Sequence, residues 1–306
     1  MKTEINGATA YISGVKDFDL TQTLECGQCF HFIKESENTY LISALSSCIR
    51  AAMDGSTLII EELSNAPGAM ISECGPAFCS ASVIDADKWI DYFDLKRDYG
   101  QIKKKLLSMD KKLQDAIEAM NGTRILNQEF FETLISFIIS QNQQIPRIKN
   151  IVAAISGLCG KCAGGDKMYI FPDARSILLS GEEGIRSCKA GFRAPYIIDA
   201  CRKVSDGSID EKSLRECGYE KALESLKTIK GVGDKVANCV LLFSLGYRSA
   251  FPVDVWIKRI MEQLYFNGED TPIPKIRSLA AERFGEYGGY AQQYLFYYGK
   301  ENRIGK

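Results

Sequence analysis

The chain has 306 residues, 45% of them hydrophobic and 25% charged, which allows one large or two medium domains with an ordinary globular core. No apolar run has the length of a bilayer span, the N-terminal MKTEINGATAYISGV lacks a signal-type apolar block, and eleven cysteines without such a signal imply reduced thiols. The expectation is an intracellular protein, and its net charge of −1 hides an asymmetry: residues 1–97 hold 7 Lys/Arg against 14 Asp/Glu, residues 98–306 hold 31 against 25, so an anionic partner belongs with the later segment.

In chain order, TYLISALSS and CIRAAM, then the Asp54–Gly55 pair and STLIIEEL, alternate like paired strands about a hairpin turn. DADKWIDYFDL (85–95) has helical spacing, and from Asp98 onward helical periods dominate. RDYGQIKKKLLSMDKKLQDAIEAM directs Ile102, Leu106, Leu107 and Leu113 inward, with lysines between them. EFFETLISFIISQ (129–141) is apolar nearly all round, as a central buried helix is. Further helices fit IPRIKNIVAAISGLC, APYIIDACRKV, YEKALESLKTI, KVANCVLLFSLGY, VWIKRIMEQLY, KIRSLAAERFG and AQQYLFYYG. No repeat or low-complexity segment interrupts them. The expected fold class is α+β: an N-terminal antiparallel-sheet domain over residues 1–97, then an all-α domain over 98–306 with a helix-hairpin-helix at 219–246.

The hairpin is KGVGD, with Gly231, Val232 and Gly233 at its tip, followed by an almost wholly apolar helix. Glycines let backbone N–H groups converge at a helix N-terminus, where the dipole favours an anion such as phosphate. A plain glycine-capped corner is the other reading. Lys235 lies in the first turn of this apolar helix and shares a face with Asn238, Cys239 and Leu242. Such a lysine either snorkels to solvent or is kept partly desolvated so that its amine can act as a nucleophile. Downstream, in AFPVDVWIKRI, Pro252 stops the preceding element and Asp254 sits at an N-cap position. It is either a capping residue alone or also a carboxylate able to stabilise positive charge developing on a sugar.

KGVGDKVANC…FPVDV resembles the helix-hairpin-helix, Gly/Pro–Asp signature of base-excision DNA glycosylases, and the lysine resembles that of the bifunctional members. The branches carrying an iron–sulfur cluster place four cysteines after the catalytic region, whereas the last cysteine here is Cys239. Together with LECGQCFHF, YFDL, FIISQNQQIPRI, GFRAPY and GGYAQQYLF, the pattern is similar to the eukaryotic type of 8-oxoguanine DNA glycosylase over nearly the whole chain. The resemblance implies base flipping, excision opposite cytosine, and β-elimination at the resulting abasic site. Formamidopyrimidine guanine falls in the same substrate range.

By that resemblance Lys235 attacks C1′ to form a Schiff base, and Asp254 stabilises the oxocarbenium-like transition state. Gly27 presents a carbonyl to the N7–H of 8-oxoguanine, where guanine has an acceptor instead. Gln292 meets the Watson–Crick edge, while Phe296 and Cys239 lie on the two faces of the base. Asn142 and Arg147 fill the vacated space and read the orphaned cytosine with Arg193, and Phe192 takes the place of an aromatic wedge, usually tyrosine. The hairpin backbone at Gly231, Val232 and Gly233 grips phosphate, with a monovalent cation on its carbonyls and no other cofactor. The partner is double-stranded DNA, the protein a monomer, with no membrane association. Taken singly, Gly27 is also a turn residue, Cys239 an inert thiol, Arg147 and Arg193 surface charges, and YAQQYLFYY a core helix. One departure stands out: the family histidine two positions after the aspartate is Trp256 here, and the chain's single histidine is His31.

Two other classes compete. A non-enzymatic helix-hairpin-helix clamp would use the hairpin but has no use for Lys235, Asp254 and a base pocket together. The C-x-x-C pairs at 26–29 and 159–162 could bind zinc, but they fall in different expected domains and one overlaps the Gly27 motif. Within the glycosylases, another damaged purine is the alternative substrate.

Overall fold

The computed structural model describes residues 1–63, 83–163 and 168–301, the last two by backbone only; the parts of the two expected domains at 64–82, 164–167 and 302–306 lie outside the described residues. Two compact units are present. One comprises Met1–Lys16, Cys29–Tyr92 and Phe131–Ser208, the other Asp17–Gln28, Phe93–Phe130 and Ile209–Lys306. The expected boundary at residue 97 rests on the change of pattern in the sequence; among the described residues the last strand ends at Glu62. The compact units follow packing instead, so a run of helices belongs with the sheet and an N-terminal segment belongs with the C-terminal helices.

In the first unit six strands, β1 (Lys2–Asn6), β2 (Thr9–Ser13), β3 (Phe32–Ser36), β4 (Thr39–Ala44), β5 (Ser47–Asp54) and β6 (Thr57–Glu62), form one antiparallel sheet in the order β1-β2-β6-β5-β4-β3. The expected turn is present: Asp54 pairs with Thr57 around Gly55, whose φ is 55°. A second tight turn lies inside TYLISALSS, where Ala44 pairs with Ser47 across Leu45 and Ser46, both at positive φ. It lacks the Asn or Gly that usually marks such a turn, so the segment looks like one strand in the sequence. The sheet's edges, β1 and β3, went unread for a related reason. β1 is exposed throughout and β3 buries Phe32 alone, so neither shows a two-residue alternation.

The same unit holds α2 (Ala86–Tyr92), α5 (Phe130–Ile139), α6 (Ile145–Cys159), α7 (Ala174–Ser187) and α8 (Ala194–Ser205). Residues 133–139 of α5 are all buried, as a helix apolar nearly all round requires, with Thr133 and Ser136 among them. α7 was not expected: Gly181, at φ 68°, breaks its helical path and with it the apolar period.

The second unit holds α1 (Leu20–Glu25), α3 (Tyr99–Met109), α4 (Gln114–Ala119), α9 (Glu211–Glu216), α10 (Tyr219–Lys227), α11 (Asp234–Phe243), α12 (Val255–Tyr265), α13 (Ile273–Phe284) and α14 (Gly288–Glu301). The stretch 97–120 is broken at Asp110, whose extended backbone ends α3 and whose carboxylate accepts from Lys112 N–H at 2.9 Å. Ile102, Leu106 and Leu113 are buried as expected, and Leu107 is half-buried. α14 comes close to α11 because Gly289 has no side chain: a Cβ there would collide with Leu242 and lie 2.8 Å from the Arg248 carbonyl oxygen. No helix among the described residues is long and apolar enough to cross a membrane.

Candidate active site

α10 and α11 form the expected helix-hairpin-helix. Gly231, at φ 77°, turns the chain, and buried Val232 anchors the loop through its N–H to the Ile229 carbonyl at 3.0 Å. Gly231 and Gly233 on either side stay exposed, with open space where a Cβ of Gly233 would be. From Val236 to Phe243 every residue of α11 is buried. A fully buried aliphatic side chain contributes about 1.5–3 kcal/mol, so this run easily offsets the cost of half-burying Lys235 at the helix entrance.

The first turn of α11 is held from two neighbouring helices. Asp234 receives Arg277 of α13 at 2.8 Å and Lys227 of α10 at 3.2 Å. The Arg277 hydrogen bond, helped by Lys227, holds the Asp234 carboxyl below the usual carboxylate range. Buried Asn238 donates to the Asp234 carbonyl at 2.8 Å and accepts from Tyr219 Oη at 2.6 Å. Sequence reasoning placed Asn238 on the Lys235 face but missed Tyr219, Lys227 and Arg277, because their partners come from other helices.

Cys239 lies one turn beyond Lys235 and is buried. Burial pushes its thiol up to about 11; the Lys235 charge opposes the shift and the Asp254 charge adds to it. The thiol therefore keeps its proton at neutral pH, which removes the thiolate form of this side chain. Asp254 is the N-cap of α12, accepting Ile257 N–H at 2.8 Å through Oδ1. Its Oδ2 has no hydrogen-bond partner among the described residues, so capping leaves one oxygen for other work. Trp256 is half-buried in the same turn, with the Arg259 guanidinium 5.9 Å from its ring centre.

On α14, Gln292 is 5% exposed and its Oε1 has no hydrogen-bond partner among the described residues. A buried amide oxygen left unpaired is costly unless a ligand supplies the donor. Phe296 is half-buried one turn further on. Gly27, at φ 81°, is half-exposed between Cys26 and Gln28, both fully buried. Gln293, beside Gln292, donates to the Cys26 carbonyl at 3.3 Å.

The remaining predicted residues lie in the first unit. Asn142, with φ 50°, and Arg147, in the first turn of α6, are exposed, and Phe192 is 51% exposed. Arg193 is no surface charge, being only 3% exposed. Its Nε donates to the Gln141 carbonyl at 2.9 Å, its Nη2 to the Gln141 and Asn142 carbonyls, and its guanidinium lies 4.3 Å from the Phe192 ring centre. Burial, then the nearby charge of Arg147, lowers the Arg193 pKa. Arg193 thus braces the loop carrying Asn142, and a second guanidinium stands close by.

No group of three or more His, Cys, Asp or Glu able to hold a metal occurs among the described residues. A cavity of about 920 Å³ in the second unit, lined in part by Lys104, Lys105, Tyr247 and Arg248, includes none of the predicted site residues.

A glycine hairpin entering a lysine-bearing buried helix, followed by a Pro–Val–Asp cap, places the chain among the helix-hairpin-helix base-excision proteins. Residues 135–285 match the HhH-GPD superfamily of base excision DNA repair proteins, and residues 11–134 match the N-terminal domain of 8-oxoguanine DNA glycosylase. The chain belongs to the 8-oxoguanine DNA glycosylase family. A probable N-glycosylase/DNA lyase of Methanothermobacter thermautotrophicus is 32% identical over 239 residues, covering 70% of this chain and 75% of the relative. The structure of MBOgg1 with a low-affinity DNA ligand aligns at a TM-score of 0.87 and 40% identity, covering 99% of this chain and all of that one. The 8-oxoguanine glycosylase/lyase of Clostridium acetobutylicum, bound to duplex DNA with cytosine opposite 8-oxoguanine, aligns at 0.88 and 35% identity, covering 99% of both.

Proposed function

We propose that this protein is a bifunctional DNA glycosylase/AP lyase that removes 8-oxoguanine, and formamidopyrimidine guanine, from opposite cytosine in double-stranded DNA. It works as a monomer on DNA inside the cell. The observation that carries the reading is the second unit's site: half-buried Lys235 at the entrance of buried α11, Asp254 capping α12 through one oxygen, and the helix that carries the unpartnered Gln292 oxygen closing on α11 at Gly289.

The damaged nucleotide is flipped out, and Asn142 and Phe192 occupy the space it leaves, with Arg147 facing the orphaned cytosine's acceptors and Arg193 backing the loop that carries Asn142. The Gly27 carbonyl accepts from N7–H of the oxidised base and repels the N7 lone pair of guanine. Gln292 Oε1 accepts from the donors of the Watson–Crick edge, which explains its lack of an internal partner. Phe296 stacks on one face and Cys239 closes the other as an uncharged thiol.

Lys235 Nζ, after giving up a proton, attacks C1′ as the C1′–N9 bond breaks, and the base leaves with the electron pair. Positive charge developing on the sugar is met by the free oxygen of Asp254. The new ammonium loses a proton to N9 of the departing base, and the sugar ring opens to an iminium as the C1′–O4′ bond breaks and O4′ takes a proton from water. Loss of a C2′ proton then expels the 3′ phosphate, and water hydrolyses the iminium to free Lys235. The hairpin amides grip a flanking phosphate. Backbone carbonyl is the donor type an alkali cation takes, so a monovalent ion at the hairpin is part of the proposal, and no step is routed through it.

The test offers the protein a duplex with 8-oxoguanine opposite cytosine in the presence of borohydride. Wild type is expected to form a covalent adduct and Lys235→Gln none. Base release without an adduct would make Lys235 a bystander, and binding without either would leave a backbone clamp.

A further inference from the structure

Gly27 has little control over the direction of its own carbonyl. At φ 81°, without a Cβ, it occupies a region where glycine is permissive, so its two flanking peptides must be fixed from outside. Two buried glutamines lie on either side. Gln28 donates from Nε2 to the Thr23 carbonyl at 2.8 Å and the Arg124 carbonyl at 2.7 Å, and its Oε1 accepts Leu126 N–H at 2.9 Å. Its own carbonyl accepts Gln128 Nε2 at 2.7 Å, and Gln128 N–H donates to the Phe243 carbonyl at the end of α11. Gln28, whose nitrogen shares a peptide with the Gly27 carbonyl, is thereby tied towards the helix of Lys235. The peptide before Gly27 is tied to α14, where Gln293 Nε2 donates to the Cys26 carbonyl at 3.3 Å.

Gln292 and Gln293 are consecutive. One helix thus carries the group that meets the Watson–Crick edge and the brace of the loop that meets N7. Packing alone does not call for a glutamine at 293: an apolar side chain of similar length would fill the volume without bringing an amide into the core. From this geometry we infer that Gln293 is a positioning residue for base selection, setting the Gly27 carbonyl at a fixed reach from Gln292. The inference rests on the proposed reading of the Gly27 pocket.

Because a Gln28 variant strips four hydrogen bonds and risks unfolding, the test uses Gln293→Met, which keeps length and apolar volume but removes the donor, and Gln293→Glu, which sets a carboxylate against a carbonyl. Single-turnover excision of 8-oxoguanine opposite cytosine is compared with cleavage of a preformed abasic site opposite cytosine, where no base is read. Excision by both variants is expected to fall about tenfold or more, the scale of a lost supporting contact, with abasic cleavage unchanged. Wild-type excision by Gln293→Met would overturn the inference, as would a parallel loss of both activities together with melting temperature. A wild-type protein that cleaves abasic DNA but leaves 8-oxoguanine in place would overturn the substrate reading itself, and this inference with it.

Discussion

The two units treat their site residues in opposite ways. In the second, Cys239 and Gln292 are sealed in, Lys235 and Asp254 are half-buried at helix entrances, and Gly27 is held between two fully buried neighbours. In the first, Asn142, Arg147 and Phe192 face solvent, and the one buried member, Arg193, is committed to backbone carbonyls. The difference matches the roles proposed for the two sets. Groups that move electrons and protons need low dielectric and fixed geometry before substrate arrives. Groups that invade a base stack must stay open until DNA supplies their partners.

The comparison breaks if chemistry survives damage to the second unit. Lys235→Gln is expected to cut strand cleavage by roughly 10³-fold or more while duplex binding persists, measured by single-turnover cleavage and a binding titration. Asp254→Asn is sharper, because asparagine caps a helix as well as aspartate does. Excision should drop on the order of 10²–10³-fold with little change in melting temperature, since the cap is kept and only the charge proposed to stabilise the sugar is lost.

Damage to the first unit should alter which duplex is accepted and leave the chemistry intact. Arg147→Ala is expected to reduce the preference for cytosine over other opposite bases by about tenfold, with abasic-site cleavage unaffected, read from excision rates on four duplexes differing only in the opposite base. Equal losses on all four would reassign Arg147 to backbone attraction.

Smaller effects test the scaffold of the second unit. Gly289→Ala forces a methyl into Leu242 and the Arg248 carbonyl and should cost about 1–3 kcal/mol, seen in denaturant unfolding. Asp234 has a folded pKa depressed by Arg277, so its contribution is present above its unfolded pKa and is lost as pH falls through the folded value. The stability gap between wild type and Arg277→Leu should therefore be no more than about 1 kcal/mol at neutral pH, the pair being partly exposed, and should close below about pH 4.

The sequence by itself determined what short-range spacing encodes. β6 alternates, α5 and α11 are apolar over most of their length, the hairpin needs its glycine at 231, and Asp254 sits one residue before a helix; each is a property of a dozen consecutive residues at most. Exposed edge strands, the six-residue helices α1 and α9, and kinked α7 carry no such period, and they went unread. Tertiary structure decided the rest. It grouped α5–α8 with the sheet, turned Arg193 inward, and let α14 close on α11 over a missing side chain at Gly289. It also joined Gln293 to Cys26 across 267 positions. Contacts of that separation leave no periodic trace, because a glutamine that donates across a core and one that faces water are the same letter until the chain has folded.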